Sequence, residues 1–444
     1  MKPVGALDFG ANMHRSSRRT RCDRGLEGVS EPSQRARSTP VRAVSLGWAA
    51  VFGPGLLVML ADTDVGSVVT AAQSGAKWGY RLLLVQFLLI PILYVAQELA
   101  ARLGLATGRG SARLIEETYG APLAWLASLA LAVSCFAALV TQIVGLVAVG
   151  LLFGAPRSET IAVVTLVLLA MVWTNSYRSV ERIAIGLGLF ELAYLVVAWR
   201  SAPDWGQMFS EALAPPPLDA SFMYLAAANI GATIMPWTVF YQQSAVIDKG
   251  LKASDIGKVR LDTFFGAVLC QIITAAILIT GAAGLRGSAG GIGSVGDIAQ
   301  ALSMWLGPFV GRTVFALALV GSAMSATIVI CLALAWTIGE IGGESHRRTA
   351  PPSATRRLAA LFSVVLLVGA SIVWLAPDMV GLAIGAAVVN AFLLPLVLVI
   401  LLALARKTLP PALRLGRIEA PLVGALLVGT SALALVCGVL GFFT

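Results

Sequence analysis

Charge is scarce in this chain. Asp, Glu, Lys and Arg make up 12% of its 444 residues, against 58% hydrophobic residues. An ordinary soluble protein carries about 25% charged residues, and a soluble fold with half that share could not cover so much apolar surface. Cysteine and histidine are scarce as well. Cys22, Cys135, Cys270, Cys331 and Cys437 lie in the N-terminal tail or inside apolar runs, with no CxxC pair and no arrangement suited to an extracellular bridge. His14 and His346 stand alone in polar segments, so no apolar run contains the His cluster that a metalloenzyme centre would want. The glycine-rich stretch 284–297 lacks the GK[ST] of a phosphate cradle, and no nucleotide-motor motif occurs elsewhere. These absences exclude a cytosolic enzyme, a secreted disulfide scaffold and an ATP-driven motor. The formal net charge of +9 suggests nucleic-acid binding only until the charges are located.

What is present is lipid-compatible sequence. A transmembrane helix needs about 20 apolar residues, and eleven such runs can be read: 46–74, 79–101, 122–153, 158–177, 180–200, 220–247, 261–284, 308–338, 357–376, 379–405 and 420–442. The remainder is a basic tail, 1–45, whose Arg, Ser and Pro content predicts disorder, and short loops. With the tail in the cytoplasm, 26 of the 32 Lys and Arg residues fall on the cytoplasmic side. The others are Lys77, Arg81, Arg157, Arg200, Arg286 and Arg312. That asymmetry predicts a cytoplasmic N-terminus and, with an odd number of spans, an outside C-terminus. It also assigns the basic balance to topology, with lipid rather than nucleic acid as the partner, and predicts a multi-pass protein of a bacterial inner membrane.

Two spans are interrupted at their centres. The first reads GWAAVFGPGLLVMLADTDVGSVVTAAQSGA and carries Asp62 and Asp64. A carboxylate at bilayer depth costs about 2.5–3.5 kcal/mol on insertion scales and faces an interior or a watery cavity. Positions two apart point about 200° apart on an unbroken helix, so only a break lets both acids converge. The sixth span, FMYLAAANIGATIMPWTVFYQQSAVI, contains Pro236. Proline cannot bond the carbonyl four residues back, that of Ala232, which is thereby freed for another partner. A break in the first helix of one set of five (46–200) meets a break in the first helix of a second set (220–405), with 420–442 as an additional span. Five is odd, so the second set is inverted. Such repeats place a binding site between their discontinuous helices at the midplane.

GPGLLVMLADTDVGS, AAQSGAKWGY and GATIMPW together resemble the natural-resistance-associated macrophage protein (NRAMP) family of divalent-metal transporters, over about residues 46–405. The resemblance implies an all-α, LeuT-like membrane fold and a non-enzymatic, alternating-access transporter that needs no cofactor or ATP-driven subunit. Asp64 takes the place of the aspartate in the family's DPGN motif, Val65 replaces its proline, Gly66 is retained and Ser67 replaces its asparagine. Ala61 and Ala232 fall where the family offers backbone carbonyls to the metal, and Met235 matches its thioether ligand. Trp237 and Gln242 stand in place of two histidines. On span 3, Leu139 and Gln142 stand where the family carries an Asp and a Glu that help move protons.

These departures, with the extra Asp62, resemble the family's magnesium-transporting branch. They imply transport of Mg²⁺, with Mn²⁺ also admitted, uncoupled from protons. Mg²⁺ is hard and dehydrates reluctantly, which suits a roomier, more anionic site. Met235 is discordant, because a thioether favours softer metals; it is either an apolar wall behind metal-bound waters or a sign that Mn²⁺ is accepted. A proton-coupled Mn²⁺/Fe²⁺ transporter is the alternative. An organic-substrate transporter of the same architecture is more remote, since two midplane aspartates would repel a substrate carboxylate. Among weaker signals, Glu191 is expected along an outer vestibule or as a boundary carboxylate near Arg200. Gln271 and Asn390 are buried amides that bond metal-bound water or bridge helices.

Overall fold

The computed structural model describes residues 61–174, 183, 186–286, 291–341 and 352–443. The tail and most of the first half of span 1 lie outside the described residues. Fifteen α-helices are used below, with no strand among the described residues. Span 1 continues into α1 (Val65–Trp78), followed by α2 (Leu83–Thr107), the short α3 (Ser111–Tyr119), α4 (Ala121–Leu152) and α5 (Arg157–Thr174). A 3-10 turn, Leu189–Leu192, leads into α6 (Ala193–Arg200), and the short α7 (Trp205–Ala212) follows. The sixth span is two helices, α8 (Ala220–Thr233) and α9 (Pro236–Asp248). Then come α10 (Ile256–Leu285), the short α11 (Val295–Leu306), α12 (Pro308–Ile341), α13 (Pro352–Leu375), α14 (Met379–Thr408) and α15 (Glu419–Phe443).

Nine of the expected spans appear among the described residues as helices long and apolar enough to cross a membrane, counting α8 and α9 together. Spans 1 and 5 are described only in part. The apolar-run reading locates the long helices to within a few residues but treats 111–119, 205–212 and 295–306 as loops. Each of these is a short helix, with a markedly more one-sided apolar pattern than the spans beside it. They lie between spans, where a helix can bury one stripe and leave the other wet.

The broken helices form the centre. Residues of α1 from Val65 to Ala72 are all buried, and α1 packs against α10, α14, α8 and α4. Large apolar side chains are instead exposed on the outer helices, including Phe87, Leu88, Trp125, Leu129 and Phe265, an inside-out pattern suited to lipid. Close backbone approach is secured by glycine. A Cβ on Gly145 of α4 would lie 2.3 Å from Val65 Cγ2, and one on Gly231 of α8 would lie 2.1 Å from the Ala387 carbonyl oxygen of α14. Small residues at such crossings are what let membrane helices pack without a hydrophobic driving force.

Candidate metal-binding site

The break in span 1 falls at Thr63–Asp64. Ala61 and Asp62 are still helical, and Asp64 is extended, at φ −75° and ψ 177°, as the N-cap of α1. Its Oδ1 accepts from the Ser67 backbone N–H at 2.9 Å, satisfying one of the donors that a helix start leaves open. Span 6 breaks over Ile234 and Met235, both extended, and Pro236 begins α9. Proline suits this first position because its missing N–H would have had no helical partner there.

The two breaks meet at Ser67. Its hydroxyl lies 2.7 Å from the Asp62 carbonyl oxygen, 3.1 Å from Asp64 Oδ1 and 3.0 Å from the Ala232 carbonyl oxygen. A hydroxyl has one hydrogen, so it cannot fully satisfy three acceptors. Four oxygens therefore converge in the buried interior with more lone pairs than protons between them. That is a donor set for a hard cation. Beside them lies a cavity of about 10 Å³ lined by Asp64, Thr141, Ala232, Met235, Ala387 and Asn390, among others. This is the room of about one water molecule.

Several expected residues are thus brought together: Asp64, Ser67, Ala232 and Met235. Gln142 is closer than expected, since its Nε2 donates directly to Asp64 Oδ2 at 2.8 Å. Asn390 both lines the cavity and bridges helices, accepting from Ser134 Oγ at 2.7 Å. The extra aspartate behaves differently from expectation. Asp62 brings its main-chain carbonyl to Ser67, while neither of its carboxylate oxygens has a hydrogen-bond partner. Asp62 still belongs to the preceding helical turn and Asp64 to the extended cap, and the two carboxylates do not share the small cavity. At the Ser67 cluster the carbonyl is that of Asp62 rather than Ala61; Ala61 is fully buried. Trp237 is fully buried with its indole N–H unpartnered, and Gln242 makes a long 3.4 Å bond to Thr263 Oγ1. Neither lines the cavity.

Glu191 is not on an open vestibule wall. It is 1% exposed, on the 3-10 turn of span 5, with both carboxylate oxygens unpartnered. The turn carries it inward, against α12. Gln271 is also buried, and both its amide atoms lack partners. Thr141 is a site residue that the motifs do not single out. It lines the cavity and accepts from Gln142 Nε2 at 2.9 Å. A Thr–Gln pair inside an otherwise apolar run is the signal that points to it.

Among the described residues no group of three or more His, Cys, Asp and Glu side chains has the arrangement of a metal cage, and the candidate site draws instead on the Asp64 carboxylate, two backbone carbonyls and one hydroxyl. Comparison with known proteins gives this geometry its context. The divalent metal cation transporter MntH of Mesorhizobium japonicum is 28% identical over 353 residues, covering 75% of this chain and 77% of the relative. The protein of the same name from Bradyrhizobium diazoefficiens is 30% identical over 331 residues, 70% of each chain. A crystal structure of the Eremococcus coleocola manganese transporter superposes with a TM-score of 0.69 at 20% identity, covering 88% of this chain and 86% of that one, a likeness of fold. These relatives bear the names of transporters rather than of enzymes. The family model for natural resistance-associated macrophage protein-like proteins matches residues 55–439, and the chain belongs to this NRAMP family.

Proposed function

We propose that this protein carries divalent metal cations across a membrane by alternating access, through a site made of Asp64, Ser67, Met235 and the carbonyls of Asp62 and Ala232. The observation that carries the reading is the convergence of four oxygens at two helix breaks around a single hydroxyl hydrogen. A dication there would satisfy lone pairs that the protein leaves facing one another. The repeats run over 46–200 and 220–405, with the last span added to them, and the rocking of one set against the other exposes the site to each side in turn.

Mn²⁺ fits the donor set better than Mg²⁺. Met235 lines the cavity beside the oxygen cluster. A sulfur neighbour favours Mn²⁺ over Mg²⁺, and the Eremococcus coleocola protein of similar fold is a manganese transporter. Mg²⁺ is the second reading, favoured by the unpaired carboxylate of Asp62, which could face a hydrated ion in a more open state of the cycle. Transport is not coupled to protons, because Leu139, Gln142, Trp237 and Gln242 do not titrate near neutral pH. The test is uptake into proteoliposomes of Mn²⁺, Mg²⁺ and Ca²⁺ with internal pH followed. Uptake with Mn²⁺ preferred supports the reading, and no saturable uptake of any of the three overturns it.

A further inference from the structure

Where α2 ends and α10 and α15 begin lies a cleft of about 430 Å³ that shares no residue with the metal site. α2 packs against both α10 and α15, which scarcely touch each other. The lining of the cleft is sorted by depth. Glu98, Arg102, Arg260 and Glu419 form a charged layer, and Leu422 and Leu426 continue it along α15. These two leucines follow Glu419 by three and seven residues, which places them about 5 and 10 Å deeper along the helix axis. The apolar end opens on the bilayer, since Leu422 itself and the neighbours Leu261 and Phe264 of Arg260 are exposed. A charged layer at helix ends above an apolar wall has the polarity of a phospholipid leaflet.

The protein uses only part of that charged layer. Glu98 and Arg102 are buried, and their bonds are filled. Glu98 Oε1 accepts from Arg102 Nε at 2.9 Å and from Arg260 Nε at 2.8 Å, and its Oε2 accepts from Arg102 Nη2 at 2.8 Å. Arg260 and Glu419 differ, for each side chain is 42% exposed. Arg260 makes no further bond to a described residue, so both terminal nitrogens of its fork can donate into the cleft. Glu419 accepts from Arg102 Nη2 on one oxygen and from the Gly416 N–H on the other, which leaves a lone pair on each. The four charges sum to zero. A ligand with a net charge would upset that balance, whereas a zwitterion with its anion at Arg260 and its cation at Glu419 keeps it.

We propose that this cleft binds one zwitterionic aminophospholipid, with its phosphodiester on Arg260, its primary ammonium on Glu419 and an acyl chain along Leu422 and Leu426. A guanidinium fork matches two phosphate oxygens at once. A primary ammonium can donate to the Glu419 carboxylate, and a quaternary one has no N–H to give. An anionic headgroup brings nothing for Glu419 to accept from and adds repulsion. The bound lipid ties α10 to α15, which otherwise meet only through α2, and so stabilises the fold. This site is independent of which ion the protein carries.

The test is native mass spectrometry of the purified, delipidated full-length protein, titrated in turn with phosphatidylethanolamine, phosphatidylcholine and phosphatidylglycerol of the same acyl chains. One phosphatidylethanolamine is expected to be retained about tenfold more tightly than either of the others, the size of one charge-assisted hydrogen bond, and to raise the thermal midpoint. Glu419→Gln should erase the advantage over phosphatidylcholine. Leu422→Trp keeps every charge and fills the apolar end, so it should release the lipid even if Glu419→Gln fails to fold. Equal retention of the three lipids by the unmodified protein overturns the proposal, and so does a preference that Leu422→Trp leaves unchanged. Free phosphoethanolamine is the control for a soluble ligand; binding as tight as that of the lipid would overturn the assignment to the bilayer. A midpoint that ignores every lipid and rises with protein concentration would make a second copy of the chain the occupant instead.

Discussion

Ser67 has one proton for three acceptors, and that shortage decides which substitutions matter. Asp64 contributes the charge at the cluster and also caps α1, so Asp64→Ala removes a ligand and a cap together. A lost cap costs about 0.5–2 kcal/mol, which a membrane protein can survive; uptake of every divalent ion is expected to vanish while the purified variant still elutes as a single folded species. Retained uptake would move the site elsewhere. Asp62→Ala keeps the carbonyl that faces Ser67 and removes only the unpartnered carboxylate. Mg²⁺ uptake is therefore expected to fall more than Mn²⁺ uptake, and competition between the two ions in one vesicle preparation measures it. Met235→Ala should act in the opposite sense, lowering the Mn²⁺/Mg²⁺ preference about tenfold, the equivalent of about 1.4 kcal/mol. Most of this site is legible in the sequence, because acids and a proline at the centres of apolar runs cost too much to be there for packing alone. The part played by the Asp62 carbonyl is not: backbone oxygens carry no side-chain signature, and which of them turns toward the cluster depends on where the helix ends.

The helix breaks work as elements through what they pack against. Gly145 gives the start of α1 room beside α4, and a Cβ there would lie 2.3 Å from Val65 Cγ2. Gly145→Ala is therefore expected to destabilise the fold, in the range of about 1–3 kcal/mol typical of overpacking. Val65→Ala in the same chain should recover most of that loss, and a double-mutant cycle on thermal midpoints reads the coupling. Additive effects would show that the two helices do not constrain each other. Long apolar runs locate the membrane helices well, because about 20 residues are dictated by bilayer thickness. The short helices α3, α7 and α11 are not legible because an amphipathic segment of 9, 8 or 12 residues leaves no comparable mark. Glu191 escapes the sequence for a related reason. Its depth along span 5 can be counted from the residues, but the 3-10 turn that carries its side chain against α12 cannot.

At the scale of the whole molecule, polar contacts between helix ends gather into two rims. In one, Arg102 of α2 bonds Glu98 and Glu419 of α15 at 2.8 Å each, and Arg260 of α10 bonds Glu98 at 2.8 Å. Glu340 at the end of α12 accepts from the Ala112 N–H at the start of α3, and Lys407 in the last turn of α14 donates to the Thr118 carbonyl. In the other, Glu211 of α7 accepts from Arg286 after α10 and from the Tyr80 N–H after α1. Partial burial raises the Glu211 carboxyl, but these bonds and one from Gln207 outweigh it and hold the group below its usual value. Apart from the Arg102–Glu98 pair within α2 and the Gln207–Glu211 pair within α7, each of these contacts joins segments that the span count assigns to the same side of the bilayer. A missed or surplus span anywhere between two partners would have put them on opposite sides, so the contacts support the alternation independently of the charges. Which rim faces the cytoplasm is predicted by the excess of Lys and Arg. The span count places the rim with Arg102, Arg260 and Lys407 on the side with 26 of the 32 basic residues, which the positive-inside tendency predicts to be cytoplasmic. A cysteine introduced at Gly154 or at Gly307, both in turns between spans, should therefore react with a membrane-impermeant maleimide in intact cells, and one at Gly250 only after the membrane is opened. Labelling of Gly250→Cys in intact cells, with Gly154→Cys and Gly307→Cys protected, would invert the molecule and put the Arg102 rim on the outer face.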